Sequence, residues 1–394
     1  MTITSSKATA AGICTTVVDV GGVPTELLEI DAVGTASPDV QLLIIPGNPG
    51  AAPFYVDFMQ HLAQLMGGRA AVATVSNLGM AADLNPAGQV YDLAQQVDHK
   101  VALLQQRFTG PGRPPLVILA HSIGAYMAIH ATHRLDLGDC TGAAVAPAPN
   151  ARMTAASEWD WPDAAAPPPS LITGDSQAAA MGMQQAAEGE TRRQRDVAQQ
   201  QSATQQQNSR EQGSGIIKVI ALYPFLQVDP SCTRQRRLAW LTRHHALVAR
   251  LAGGLGLLPV GVRRGLVRLL GGAMDAHAVD TVADVFASRD CVANGLFMGC
   301  SEFQLLAAPA DWWLLQWLGS RFAVFVAPND VWFKEWKWQE MHRQVPDVES
   351  YLVETQTHAF CVSTEQSRDL AARIVPIVEA ALASSGSRLR SWAA

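Results

Sequence analysis

The run LVILAHSIGAY, residues 116–126, sets Ser122 where an apolar strand pattern gives way to a helical one. A serine at such a junction can occupy a sharp turn that pushes its hydroxyl out of the fold. That turn needs small residues two places before and two places after, the G-x-S-x-G pattern. Ala120 and Gly124 hold those places here. A hydroxyl so displayed is a nucleophile for acyl transfer, provided a base takes its proton and an acid orients the base. The bland alternative is a serine that only caps the following helix.

The chain supplies both partners in the order Ser, acid, His that this arrangement uses. Asp330 follows the apolar run 321–327 in the loop PNDVW, and His358 follows the run 348–354 in TQTHAF. Loops at the carboxyl ends of parallel strands share one rim of a sheet. Each residue has a plainer explanation: Asp330 as a turn former beside Asn329, His358 as an ordinary loop histidine. Asp229, in LQVDP, is the rival acid. His121 adjoins the serine, but neighbours on a strand point to opposite faces, so it suits a packing or supporting role better than the base. His244 and His245 lie in an Arg-rich helix and read as surface groups.

An acyl-transfer intermediate also needs donors for its oxyanion. One is the backbone N–H of Ile123. The second is expected from PGNPG, residues 46–50, where Gly47 and Gly50 let backbone approach a substrate. Pro49 has no N–H, so Asn48 is the donor expected there. The competing assignment is a plain tight turn.

The elements that must position these groups alternate along the chain. ICTTVVDV and ELLEIDAV predict a hairpin about Gly21–Gly22. VQLLIIPG, apolar but for Gln41, reads as an interior parallel strand. Residues 53–66 have helical spacing, AAVATVS is a strand, 88–108 an amphipathic helix, PLVILAHS a strand and GAYMAIHATHRL a helix. GIIKVIALYPF, RFAVFVAPND and VESYLVE supply later strands, and 364–384 a closing helix. The fold class expected is α/β, a doubly wound, mostly parallel sheet.

Bulk properties narrow the class. The chain has 394 residues, 48% hydrophobic and 16% charged, with formal net charge −6. That is enough for a large core and argues against nucleic acid as a partner. Six cysteines show no CxxC pair or zinc spacing, so no metal or cofactor is expected and buried thiols of a reducing compartment are. The first residues lack the apolar core of a secretory signal. No run of 18 uncharged apolar residues predicts a spanning helix.

LLIIPGNPGAAPFYVDFMQHL, LAHSIGAYMAI, VIALYPFLQVDPSCTRQRRLAWLT, APNDVWF and THAFCV together resemble the lipid droplet-associated hydrolase family of the α/β-hydrolase superfamily, over about 40–145 and 216–382. The resemblance implies an α/β-hydrolase fold with Ser122 as nucleophile, Asp330 as acid and His358 as base. It implies esterase activity on sterol or other neutral-lipid esters, at a lipid droplet or the cytoplasmic face of the endoplasmic reticulum. A droplet-bound scaffold with a vestigial relay, or an acyltransferase or thioesterase using the same relay, are the alternatives.

The expected organisation is a core over 1–150, a Gln/Ala-rich disordered insertion over 151–214, a core strand over 215–230, a helical cap over 231–320, core again over 321–384 and a tail over 385–394. The insertion holds 11 Gln and lies between the two stretches that carry the resemblance. Residues 231–274 hold eight Arg and no Asp or Glu. Arg on one side and Leu or Val on the other make a surface suited to a phospholipid interface. DWWLLQWLG at 311–319 adds three Trp, which favour interfaces. The same segment can instead be a lid packed on the core, keeping water from an apolar acyl group.

Overall fold

A computed structural model describes residues 3–8, 12–33, 37–81, 84–85, 88–138 and 214–392. These form a nine-stranded sheet in the order β1-β2-β3-β5-β4-β6-β7-β8-β9. The strands are β1 (Ile3–Ala8), β2 (Cys14–Val20), β3 (Val23–Ile30), β4 (Val40–Ile45), β5 (Ala70–Val75), β6 (Leu116–His121), β7 (Ile216–Leu222), β8 (Phe322–Val326) and β9 (Glu349–Leu352). The pairs β1–β2, β2–β3 and β3–β5 run antiparallel. From β5 through β4, β6, β7 and β8 to β9 every pair is parallel.

Every residue of β4, β6 and β8 is buried. Period-two geometry then splits each strand between two cores. Leu43, Ile45, Ile118 and Ala120 face one side. There they meet α2 (Leu93–Leu103), α3 (Ile123–Asp136) and α10 (Glu335–Gln344). Leu42, Ile44, Val117 and Leu119 face the other, against α1 (Val56–Leu65) and α11 (Thr364–Trp392). Helices on both faces are what a parallel sheet without a wet side requires.

The amphipathic segment 88–108 becomes helical only at Leu93. Asp92 accepts from the Gln95 N–H at 2.9 Å while the Gln95 side chain accepts from the Asp92 N–H at 3.0 Å, a capping box that fixes the start. The last turn, Leu104–Phe108, is π-helical. The closing helix continues to Trp392, past the end expected at 384.

Between β7 and β8 lie six α-helices: α4 (Thr233–Thr242), α5 (His245–Leu255), α6 (Val260–Leu270), α7 (Ala276–Val285), α8 (Arg289–Leu305) and α9 (Trp312–Leu318). Of the insertion expected over 151–214, all but Ser214 lies outside the described residues, as does Cys140. Among the described residues no helix is long and apolar enough to cross a membrane.

Candidate active site

The elbow at Ser122 is built by close packing. Ser122 has φ 54° and ψ −123° between β6 and α3, a strained conformation for a residue with a side chain. A Cβ on Gly124 would stand 2.5 Å from the carbonyl oxygens of both Ile45 and Pro46. Only glycine lets α3 start this close to the end of β4. Ala120 is wholly buried two residues before the serine.

Parallel pairing of β6, β7, β8 and β9 sets their carboxyl ends side by side, and the three loops of interest leave from that rim. Ser122 Oγ lies 3.0 Å from His358 Nε2, and His358 Nδ1 lies 2.9 Å from Asp330 Oδ2. The Asp330 side chain is fully buried, while that of His358 keeps 21% of its surface. Because a carboxylate only accepts, Nδ1 carries the proton and Nε2 offers its lone pair to the serine hydroxyl. Asp330 Oδ1 also accepts from the Trp332 N–H at 2.8 Å, which fixes the carboxylate plane.

Asp229 turns elsewhere. Its carboxylate pairs with Lys334 at 2.8 Å and accepts from the Ser231 hydroxyl at 2.6 Å. Although burial works the other way, the bonds to Lys334 and Ser231 hold it below the usual carboxylate range. His244 is exposed, and His245 is half-buried against Phe297.

The loop 46–50 rests directly on the elbow. A Cβ on Gly47 would come within 2.9 Å of Ser122 Cβ. Asn77 grips this loop, its Nδ2 donating to Gly47 O at 2.9 Å and its N–H to Gly50 O at 2.8 Å. A Cβ on Gly50 would collide with that Asn77 side chain at 2.1 Å. Asn48 follows Gly47 in the same loop, and its peptide bond to Pro49 is cis. Ile123 opens α3, so its N–H, like others of a first turn, has no acceptor within the helix.

His121 takes the supporting role expected of it, while Tyr55 and Lys337, which also matter here, carry no signal in the sequence. The Gly47 N–H donates to the Tyr55 hydroxyl at 3.1 Å, and that hydroxyl meets His121 Nδ1 at 2.7 Å. His121 Nε2 donates to the carbonyl of His358 at 2.8 Å. Burial, aided by the nearby His358, pushes His121 down to about 3. It is therefore neutral, with one donor and one acceptor nitrogen, as this chain needs. Lys337 is buried in α10 and donates to the carbonyls of Trp332, at 3.1 Å, and of Gln227. Burial pushes it down to about 8. It ties the acid's loop to the segment after β7. Beside the relay stands an aromatic wall: Phe225 and Trp332 rings lie 4.7 Å apart, Phe225 and Phe303 6.0 Å, Trp332 and His358 6.0 Å.

Comparison with known proteins agrees with this architecture. The family model described as lipid-droplet associated hydrolase matches residues 38–144 and 197–361. The lipid droplet-associated hydrolase of Rattus norvegicus is 32% identical over 135 residues, 29% of this chain and 41% of that protein. Its Homo sapiens counterpart is 32% identical over 112 residues, 25% of this chain and 34% of that protein. The matched stretches thus span less than half the length of these curated relatives. Among solved structures, a putative lipase from Acinetobacter baumannii superposes with TM-score 0.56 at 10% identity, covering 95% of this chain and 93% of that one. The shared fold is that of the α/β-hydrolases.

Proposed function

The chain belongs to the lipid droplet-associated hydrolase family, and from that premise we propose that it is a serine ester hydrolase for apolar lipid esters at a lipid droplet or membrane surface. One observation carries the proposal: the unbroken relay from Ser122 Oγ through His358 to the buried carboxylate of Asp330, at 3.0 and 2.9 Å. In this mechanism His358 Nε2 takes the serine proton as Oγ attacks the ester carbonyl. Asp330 holds the ring and stabilises the imidazolium. The N–H groups of Asn48 and Ile123 hold the oxyanion. His358 then returns the proton to the leaving alcohol, and later activates a water that releases the acid from the acyl-enzyme.

The aromatic wall of Phe225, Phe303 and Trp332 favours an apolar acyl or alcohol part, which includes sterol and acylglycerol esters. A wall of this kind also excludes water, so that the oxyanion hydrogen bonds act in a low dielectric. The surface of the cap supplies a means of reaching such substrates. In α6 no residue is buried. Leu257, Leu269 and Leu270 are 88%, 78% and 80% exposed, and α5 adds a stripe of Leu247, Leu251 and Leu255 at i, i+4, i+8. Exposed apolar side chains clustered in this way along two neighbouring stretches of the chain suit a binding face. The cytoplasmic face of the endoplasmic reticulum and the droplet monolayer that buds from it are the compartments that fit.

The test is labelling by an alkyl fluorophosphonate, together with hydrolysis of an ester panel with and without an emulsified interface. Ser122→Ala is expected to abolish labelling and to lower turnover by about 10⁴-fold or more. Equal labelling of parent and variant would remove the nucleophile. The same exposed cap favours a second reading, a lipid-surface scaffold with an idle relay. It requires that droplet binding survive Ser122→Ala while the parent hydrolyses none of the panel.

A further inference from the structure

We infer that Glu302 is a positioning residue for the oxyanion loop: from cap helix α8 it holds the Asn48 side chain, and through it the backbone of residues 46–50, in register with Ser122. The inference rests on the serine hydrolase reading above and adds to it a physical link from cap to chemistry.

Asn48 Nδ2 donates twice into α8, to Gly295 O at 2.9 Å and to Glu302 Oε1 at 2.9 Å. Both amide protons are therefore spent on one helix of the cap, more than 240 residues away in sequence. Gly295, Gly299 and Glu302 lie at i, i+4 and i+7, which places them on one face. A Cβ on Gly295 would press on Asn48 Oδ1 at 3.3 Å, and one on Gly299 would reach Asn48 Nδ2 at 3.5 Å. The bare face at 295 lets the helix come down onto the asparagine, and Glu302 meets its amide at the end of that face.

Burying a carboxylate here is costly. Glu302 is 5% exposed, and desolvation pushes it up to about 7 against the opposing bond from Asn48. A leucine or methionine would fill the same space without that penalty. What the carboxylate offers that they do not is an acceptor for Asn48. The other grips on the loop, Asn77 on Gly47 O and Tyr55 on the Gly47 N–H, both come from the core. They hold Gly47 and Gly50. The α8 bonds hold Asn48 itself, the residue whose N–H is assigned to the oxyanion. Oxyanion donors act over about 2.7–3.1 Å, and a displacement of ~1 Å is worth up to about 10²-fold in rate. A loop anchored only by its flanks would lose that register.

The experiment measures kcat and KM of the full chain on a short, soluble p-nitrophenyl ester. Glu302→Met keeps the volume and removes the acceptor, and kcat is expected to fall ~10- to 100-fold with KM within about twofold. Glu302→Gln keeps a carbonyl acceptor and is expected to recover kcat to within about threefold of the parent. Asn48→Ala should match Glu302→Met, and the double variant Asn48→Ala/Glu302→Met should lose nothing further, as for two members of one link. A parent-like kcat in Glu302→Met overturns the inference. So does a Glu302→Gln as slow as Glu302→Met, or additive losses in the double variant. If Glu302→Met does not give folded protein by thermal melting, Asn48→Ala decides alone, and an unchanged kcat there sinks the link. Ser122→Ala runs in parallel. Hydrolysis that survives it defeats the serine reading underneath, whereas its loss beside a parent-like Glu302→Met defeats only the role of Glu302.

Discussion

His121 Nε2 donates to the backbone carbonyl of His358 across 2.8 Å, so the residue beside the candidate nucleophile holds the loop of the candidate base. Its other nitrogen accepts from Tyr55, whose oxygen accepts from the Gly47 N–H. One buried chain of hydrogen bonds thus joins the loop expected to bind the oxyanion to the loop that carries the imidazole. Tyr55→Phe would leave the Gly47 N–H and His121 Nδ1 without this partner. Two orphaned buried groups should cost about 1–3 kcal/mol in urea unfolding. Turnover should fall about tenfold, since both loops loosen by a fraction of an ångström. An unchanged unfolding midpoint would show that the chain holds nothing.

The elbow makes different demands on its two small residues. At 124 an added methyl meets two backbone carbonyls at 2.5 Å, and backbone has little room to yield. Gly124→Ala should cost about 1–3 kcal/mol by overpacking and carry fluorophosphonate labelling down with it. At 120 a methyl is already accommodated. Ala120→Gly should cost only ~0.5–1 kcal/mol of backbone entropy and leave labelling within about threefold. Comparable losses from the two variants would contradict the packing described.

Much of this arrangement is legible in the sequence because its parts are local. β4, β6 and β8 are almost wholly apolar, broken only by Gln41 in β4 and by His121 at the end of β6, and Ser122, Asp330 and His358 each follow such a strand or its neighbour by a few residues. What is not legible depends on partners far away in the chain. The strand Ile3–Ala8 reads ITSSKA, too polar to announce itself, and forms by pairing with Cys14–Val20 at the sheet's edge. Glu302 looks like a surface residue of a cap helix until Asn48, 254 positions earlier, is placed against it. Tyr55 and His121 are linked across 66 residues. The start of α2 is marked in the sequence, since Asp92 and Gln95 have capping-box spacing. The end of α11 is not marked, because residues beyond 384 show neither a proline nor an apolar stripe that breaks off.

Far from the relay, a second buried cluster gives a pH-dependent expectation. Lys100 is wholly buried, its Nζ 3.1 Å from His99 Nδ1, and His99 Nε2 meets the Thr25 hydroxyl at 2.9 Å. Burial pushes Lys100 down to about 7, and burial followed by the Lys100 charge holds His99 well below its ordinary value. An unfolded lysine titrates near ~10.4. Between about 7 and ~10.4 the unfolded chain therefore binds a proton that the folded chain does not, and stability rises with pH across that window. As pH falls through about 7 that contribution is fully lost. Lys100→Met removes the buried ammonium, so it should stabilise the fold near pH 7 by roughly 2–4 kcal/mol. The advantage should shrink steadily towards pH 10. A parent–variant gap in urea unfolding that stays flat from pH 7 to pH 10 would mean that Lys100 is not the group responsible.

The cap can be tested apart from the chemistry because its exposed leucines lie on helices that pack little against the core. Arg263 and Arg264 pair with Asp284 at 3.6 Å and Asp280 at 2.7 Å, which fastens α6 to α7 and leaves Leu269 and Leu270 turned outward. Arg250 and Arg268 are exposed on the same two helices as the leucine stripes. Entry of this face into a phospholipid monolayer would bury each leucine, worth ~1–2 kcal/mol apiece. Each arginine near an anionic headgroup would add about 1 kcal/mol. Leu251→Ser, Leu269→Ser and Leu270→Ser combined should weaken binding to phospholipid-coated triolein emulsions by about 10²-fold or more. Arg250→Gln with Arg268→Gln should weaken it only when the monolayer carries anionic lipid, and less at high salt. Turnover of a short soluble ester should stay near the parent's in both variants, while turnover of emulsified ester falls with binding. Unchanged partition of the triple leucine variant would take the cap out of membrane recognition and leave it solely as a cover for the relay.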